Sequence, residues 1–246
     1  MGKVIAVASG KGGTGKTTTV AAVASCIATL GYKTLCIDFD AGLRNLDLAL
    51  CMPDYAVADF LDVTEMRLSL MEACHESPHI PNLSFLAAPA TFEDETLGRT
   101  DVRPMLSEAR REFDYCFIDV PSGIGAGFRL AHCGADMSVI VTTGEIPAMR
   151  DAQMAASAAR DMNISDLRLL INRVSPAVFK KLRTTFDNVI DTVGARLIGA
   201  VREDISVLLS LHENVPLLLY KKRGCARDFL DAARRLTGED LPLRYW

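Results

Sequence analysis

With 246 residues, a formal charge of −4 and a pI near 5.6, the chain is long enough to bury a substantial core and too acidic for a strong sequence-independent grip on nucleic acid. Although 49% of it is apolar, its longest uncharged hydrophobic stretches, such as residues 4–8 and 137–142, fall far short of the ~20 residues a spanning helix needs, so a soluble protein is expected. The seven cysteines are odd in number and lack a C-x-x-C pair, and the glycine-rich N-terminus has no signal-peptide pattern. Together these point to buried thiols in a reducing cytosol.

Apolar, β-branched runs at 4–8, 34–38, 83–87, 115–119, 137–142, 167–172 and 196–201 alternate with helical patterns. No linker interrupts them, so residues 1–246 are read as a single α/β domain: a doubly wound, mostly parallel sheet with helices on both faces. The runs IAVA, VIVTT and LLIN suit strands buried on both sides. Helices are clearest at 17–30, closed by Gly31, at 146–162 and at 226–236. In the last of these, Phe229, Leu230, Ala233 and Leu236 form one side, while Arg227, Asp231, Arg234 and Arg235 are placed largely on the other.

Between the first strand and the first helix lies GKGGTGKT, a full G-x-x-x-x-G-K-T match at Gly10, Gly15, Lys16 and Thr17. Gly12, Gly13 and Gly15 permit positive φ and close backbone approach, so that N–H groups and the helix N-terminus can face phosphate oxygens. Lys16 would add positive charge there, and the Thr17 hydroxyl is placed to ligate Mg²⁺. Residues 10–18, including Thr14 and Thr18, form the expected ATP site.

The second strand ends in CIDFDAGLRNLDLAL, which sets Asp38 and Asp40 at a strand carboxyl end, where open α/β sheets bind ligands. Two carboxylates there fit Mg²⁺ binding and water positioning, with capping of the turn before Gly42 as the lesser reading of Asp40. Strand 115–119 ends in IDVPSGIG, putting Asp119 at a comparable place. Asn172 ends LLIN, where base recognition and a simple turn are both open. The run 221–223, Lys-Lys-Arg, reads as a solvated turn, and Trp246 is expected to pack on the domain. Cys74, His75 and His79 have a spacing that could hold zinc on a helix, but Pro78 interrupts any helix there.

Lys11 goes beyond the general phosphate-loop pattern, and KGGTGKTT resembles the deviant Walker A sequence of the MinD/ParA family. The resemblance extends through DFDAGLRNLDL, DVPSGIG, TTGEIPAMRDAQ, LLINRVSP and VREDISV, and it favours the MinD branch over the ParA branch. It implies that Lys11 and Lys16 serve catalysis, with Lys11 reaching the phosphates of a partner subunit across an ATP-sandwiched homodimer. Asp40 would orient the attacking water, Asp38 and Asp119 would support Mg²⁺ with Thr17, and Asn172 would read the adenine edge. It also implies a slow, Mg²⁺-dependent ATPase switch in the cytoplasm that regulates septum placement through a division inhibitor and an ATPase activator.

Two departures are visible. Ser122 stands where D-x-P-A-G-I is usual, a change the geometry is expected to tolerate. The chain also ends before the basic amphipathic helix by which the family touches membranes, which leaves membrane binding in doubt. Rival readings are a ParA-type partitioning or FlhG-type positioning ATPase, and an iron–sulfur scaffold, for which Cys133 lacks the accompanying motif.

Overall fold

Residues that read as continuous apolar runs are the ones buried on both faces of one sheet. In the computed structural model, which describes residues 1–41, 44–53, 58–90 and 100–243, the strands are β1 Lys3–Ala8, β2 Thr34–Asp38, β3 His75–Glu76, β4 Leu83–Leu86, β5 Tyr115–Asp119, β6 Met137–Thr142, β7 Asp166–Val174 and β8 Arg196–Arg202. Their order is β3-β4-β2-β5-β1-β6-β7-β8, parallel throughout except for the β3–β4 pair. All seven expected strands are present. The expectation for Trp246 and the Gly42–Leu43 part of the second motif lie outside the described residues.

The helices among the described residues are α1 Lys16–Thr29, α2 Leu46–Ala49, α3 Phe60–Thr64, α4 Leu70–Ala73, α5 Arg103–Glu112, α6 Ala126–His132, α7 Ile146–Asp161, α8 Pro176–Leu182, α9 Phe186–Val193, α10 Ser206–His212, α11 Leu217–Tyr220 and α12 Cys225–Leu236. Strand periodicity divides the interior in two. Val4, Ala6 and Ala8 of β1 face a core closed by α5, α7 and α9, whereas Ile5 and Val7 face a second core closed by α1 and α12. Helix α1 ends at Gly31, whose φ of 98° suits a residue without Cβ.

Two expectations on the C-terminal side are corrected. Asp228 and Asp231 of α12 are both buried, each 4% exposed. Asp228 takes a forked ion pair from Arg202 (2.7 and 2.9 Å), and Asp231 is paired by Arg227. Asp231, set by helical spacing among the charged residues, therefore packs inward with a partner, while Arg227, Arg234 and Arg235 stay partly exposed. Lys221 is likewise no solvated turn residue. Its ammonium donates to both oxygens of Asp204 and to Ser206 Oγ, tying the β8–α10 loop to the start of α12.

Candidate functional site

Sheet register alone brings the sequence-selected carboxylates to the phosphate loop. Asp119 is level with Val7 of β1 on one side and with Asp38 of β2 on the other. The loop that leaves β1 after Ala8 thus starts one residue beyond two neighbouring acids. The chain runs from β1 to β2 on one side and later returns to β6 on the other, so this carboxyl edge is a topological switch point, where open α/β sheets bind ligands.

Close packing gives the loop glycines separate reasons to be glycine. A Cβ on Gly10 would lie 2.0 Å from the Asp151 carbonyl oxygen of α7, so glycine at this position lets the helix pass close to the loop. Gly13 and Gly15 adopt φ of 80° and 90°. The expectation of positive φ fails for Gly12, whose φ is not in that region. A Cβ at Gly15 would fall 2.2 Å from Asn172 Nδ2, the group that donates to the Thr14 carbonyl at 2.9 Å. Asn172 is buried, and a register irregularity between Ile171 and Val174, with Arg173 at φ 54°, turns the end of β7 toward the loop. In this structure Asn172 braces the loop backbone.

Lys16, only 7% exposed, opens α1 and donates to Ser122 Oγ at 2.9 Å. Burial lowers its pKa, while Asp119 and Asp40 act against that shift. Both oxygens of Asp38 accept backbone donors, Asp40 N–H at 2.8 Å and Leu46 N–H at 3.2 Å. Asp38 therefore ties the backbone of both Asp40 and Leu46 to the strand end. Burial raises its pKa to about 6. Asp119 is pushed to about 7 by burial first and then by the Asp38 charge, although the Thr17 hydroxyl bonds it. Its Oδ1 is buried and accepts no hydrogen bond among the described residues.

An orphaned carboxylate oxygen beside a threonine hydroxyl and a second acid is a donor set that fits a hard divalent cation such as Mg²⁺. Thr17, Asp119 and, behind them, Asp38 would hold it. Asp40 is half-buried, with a pKa raised by burial against the pull of Lys16. Lys11 is exposed on the rim of a cleft of about 400 Å³, which it shares with Arg173, Phe179, Leu182 and Glu203. Glu203 belongs to the 201–207 segment and is ion-paired to Arg173 at 3.0 Å.

Sequence reasoning missed the Ser122 contact with Lys16. Its one available signal was a hydroxyl in the tight turn directly after Asp119.

The raised carboxylates predict a pH dependence. An acid whose folded-state pKa lies above its unfolded value stabilises the fold below the unfolded pKa, near 4, and loses that contribution as pH rises through the folded value. For Asp119 and Asp38 the loss spans about pH 4 to 7. Buried His132, held near pKa 4 by burial, has the opposite slope over part of that range, so the contribution of Asp119 must be isolated by difference. Without metal or nucleotide, Asp119→Asn is expected to melt roughly 5–10 °C above wild type at pH 8, with the gap closing at pH 5. A gap independent of pH in thermal denaturation would contradict this.

Comparison with known proteins agrees with the geometry. A family model described as an AAA domain matches residues 2–160. The septum site-determining protein MinD of Bacillus subtilis (strain 168) is 34% identical over 247 residues, 99% of this chain and 92% of that protein. MinD in the MinC:MinD cell division protein complex of Aquifex aeolicus superposes with a TM-score of 0.87 at 31% identity, covering 99% of each chain. The Pyrococcus horikoshii MinD complexed with Mg-ADP has a TM-score of 0.83 over 97% of each chain; at 23% identity it is a likeness of fold. The chain therefore belongs to the MinD/ParA family of P-loop ATPases, on its septum site-determining MinD branch.

Proposed function

We propose that residues 1–246 form one cytoplasmic ATPase domain that binds ATP and Mg²⁺ at residues 10–18, dimerises while loaded, and uses slow hydrolysis to reset a switch in septum placement. The observation that carries this reading is the register Val7–Asp119–Asp38, which sets a phosphate loop, a buried lysine and an orphaned carboxylate side by side. Hydrolysis of a phosphoanhydride needs positioning and charge neutralisation more than covalent help, and this edge supplies both.

In this reading the amides of residues 12–16 and the N-terminus of α1 cradle the phosphates, and Lys16 neutralises their charge. Mg²⁺, when bound, supplies further neutralisation of phosphate charge. Asp40, half-buried and close enough to Lys16 to feel its charge, would hold a water by hydrogen bond and orient it toward the terminal phosphate. Asn172 keeps the loop in register through the Thr14 carbonyl and would read the adenine edge. By analogy with the Aquifex aeolicus complex, a division inhibitor of the MinC kind is the proposed partner, with a separate activator of hydrolysis.

Lys11 is the residue proposed to reach a second copy. It is exposed at the rim of an open cleft rather than folded onto its own loop, so its ammonium is available to phosphates bound across an interface. Lys11→Ala is expected to keep nucleotide binding within about threefold and to lose ATP-dependent dimerisation. Sedimentation velocity with Mg-ATP checks this, and a dimer persisting in the variant would remove the role.

A further inference from the structure

Ser9 directly follows β1, is only 1% exposed, and donates its hydroxyl to the Lys11 carbonyl at 2.6 Å. Gly10, between the two, is closed in by the Asp151 carbonyl of α7, which a Cβ would meet at 2.0 Å. The backbone of residues 9–11 is therefore held twice, by a buried hydroxyl and by a passing helix. The loop opens only beyond them, where a Cβ on Gly13 would meet nothing within 4 Å. A buried hydroxyl needs an acceptor, and this one takes the carbonyl of the residue whose side chain leaves the loop.

A planar trans peptide points its carbonyl and the N–H of the next residue in opposite directions. Fixing the Lys11 carbonyl on Ser9 thus turns the Gly12 N–H away from that hydroxyl. Asn172 does the same further along the loop, since holding the Thr14 carbonyl turns the Gly15 N–H away from the asparagine. Neither amide meets an acceptor among the described residues. Two side chains from different strand ends thereby set two peptide planes of one loop. Only the Ser9 plane belongs to Lys11, which is exposed on the rim of the cleft.

We propose that Ser9 is a positioning residue for Lys11: its hydroxyl fixes the Lys11–Gly12 peptide plane so that the lysine leaves the loop in the one direction that meets phosphates carried by a second copy of this chain. This rests on reading Lys11 as the cross-subunit lysine. A lysine side chain has many rotamers and reaches a distant phosphate at an entropic cost, which a fixed backbone keeps from growing. Without the hydroxyl the Lys11 carbonyl has no side-chain anchor, the peptide plane can rotate, and the ammonium samples directions that miss the interface. Lys16, Thr17 and the N-terminus of α1, which serve the chain's own nucleotide, are not held by Ser9.

The test uses the full chain in two measurements: sedimentation velocity over a concentration series with Mg²⁺ and a non-hydrolysable ATP analogue, and titration with a fluorescent ADP analogue. Ser9→Ala is expected to weaken the dimer about tenfold, because a neutral hydrogen bond counts for a factor of about two to ten and each dimer contains it twice. Its affinity for Mg-ADP is expected within threefold of wild type, a split that a general loosening of the loop would not produce. Ser9→Thr, which keeps the hydroxyl, is expected to dimerise within threefold of wild type; should its extra methyl lower the melting temperature, the split in Ser9→Ala decides alone. A Ser9→Ala dimer as tight as wild type, an Mg-ADP affinity that falls as far as the dimer affinity, or a stable Ser9→Thr protein no better than Ser9→Ala would overturn the role of Ser9 while leaving that of Lys11. Lys11→Ala run in parallel and dimerising like wild type would overturn both.

Discussion

Gly15→Ala is expected to abolish nucleotide binding and to lower the melting temperature by roughly 6–12 °C. Two costs coincide at this position. An L-residue at φ 90° is strained by about 1–2 kcal/mol, and the new methyl would sit 2.2 Å from Asn172 Nδ2, an overlap worth about 1–3 kcal/mol in a packed site. Together they come to about 3 kcal/mol, or roughly a hundredfold in an equilibrium constant. The overlap could be relieved only by moving Asn172, which breaks its bond to the Thr14 carbonyl, or by displacing the amides meant for phosphate. Titration with a fluorescent ADP analogue and a thermal melt check both parts. Binding within tenfold of wild type would show that the loop does not need this geometry.

Asp40→Ala is expected to lower ATP turnover at least a hundredfold while leaving ATP affinity within about threefold. Positioned proton acceptors and water-orienting groups contribute about 10²–10⁴ in rate. Asp40 is the half-buried acid of the site, whereas Asp38 and Asp119 are enclosed. Its backbone N–H is held by Asp38 Oδ1, so the strand end supports the loop and leaves the Asp40 carboxylate near Lys16. The fold does not depend on that carboxylate, and the variant should melt close to wild type. Steady-state phosphate release checks the rate, and turnover within tenfold of wild type would assign the water to another group.

The sequence made the strands and their order of chemistry legible because β1, β2, β5 and β6 are buried on both faces and leave uninterrupted apolar runs. Asp38 and Asp119 could be picked out for the same reason: each is a charge that ends such a run. By contrast, β3, two residues paired antiparallel to β4, has no apolar run to announce it. The inward acids of α12 were invisible to helical periodicity, since only the fold shows that Arg202 arrives from β8 to pair with Asp228. The glycine pattern of the loop was plain, but its reasons are tertiary. Gly10 gives way to the Asp151 carbonyl and Gly15 to Asn172, contacts between segments more than 140 residues apart. Ser122 looked like a harmless departure because a motif records which residue is usual, not which neighbour a different residue would find.

As a proposed switch, this chain has two states that differ in assembly as well as in bound nucleotide. Sedimentation of the Asp40→Ala protein, which should load ATP without consuming it, tests that claim most directly. With Mg-ATP the mass is expected to double from that of the 26.7 kDa chain, and with Mg-ADP or no nucleotide it should remain that of one chain. A single-chain mass in saturating Mg-ATP, with the nucleotide shown to be bound, would contradict it.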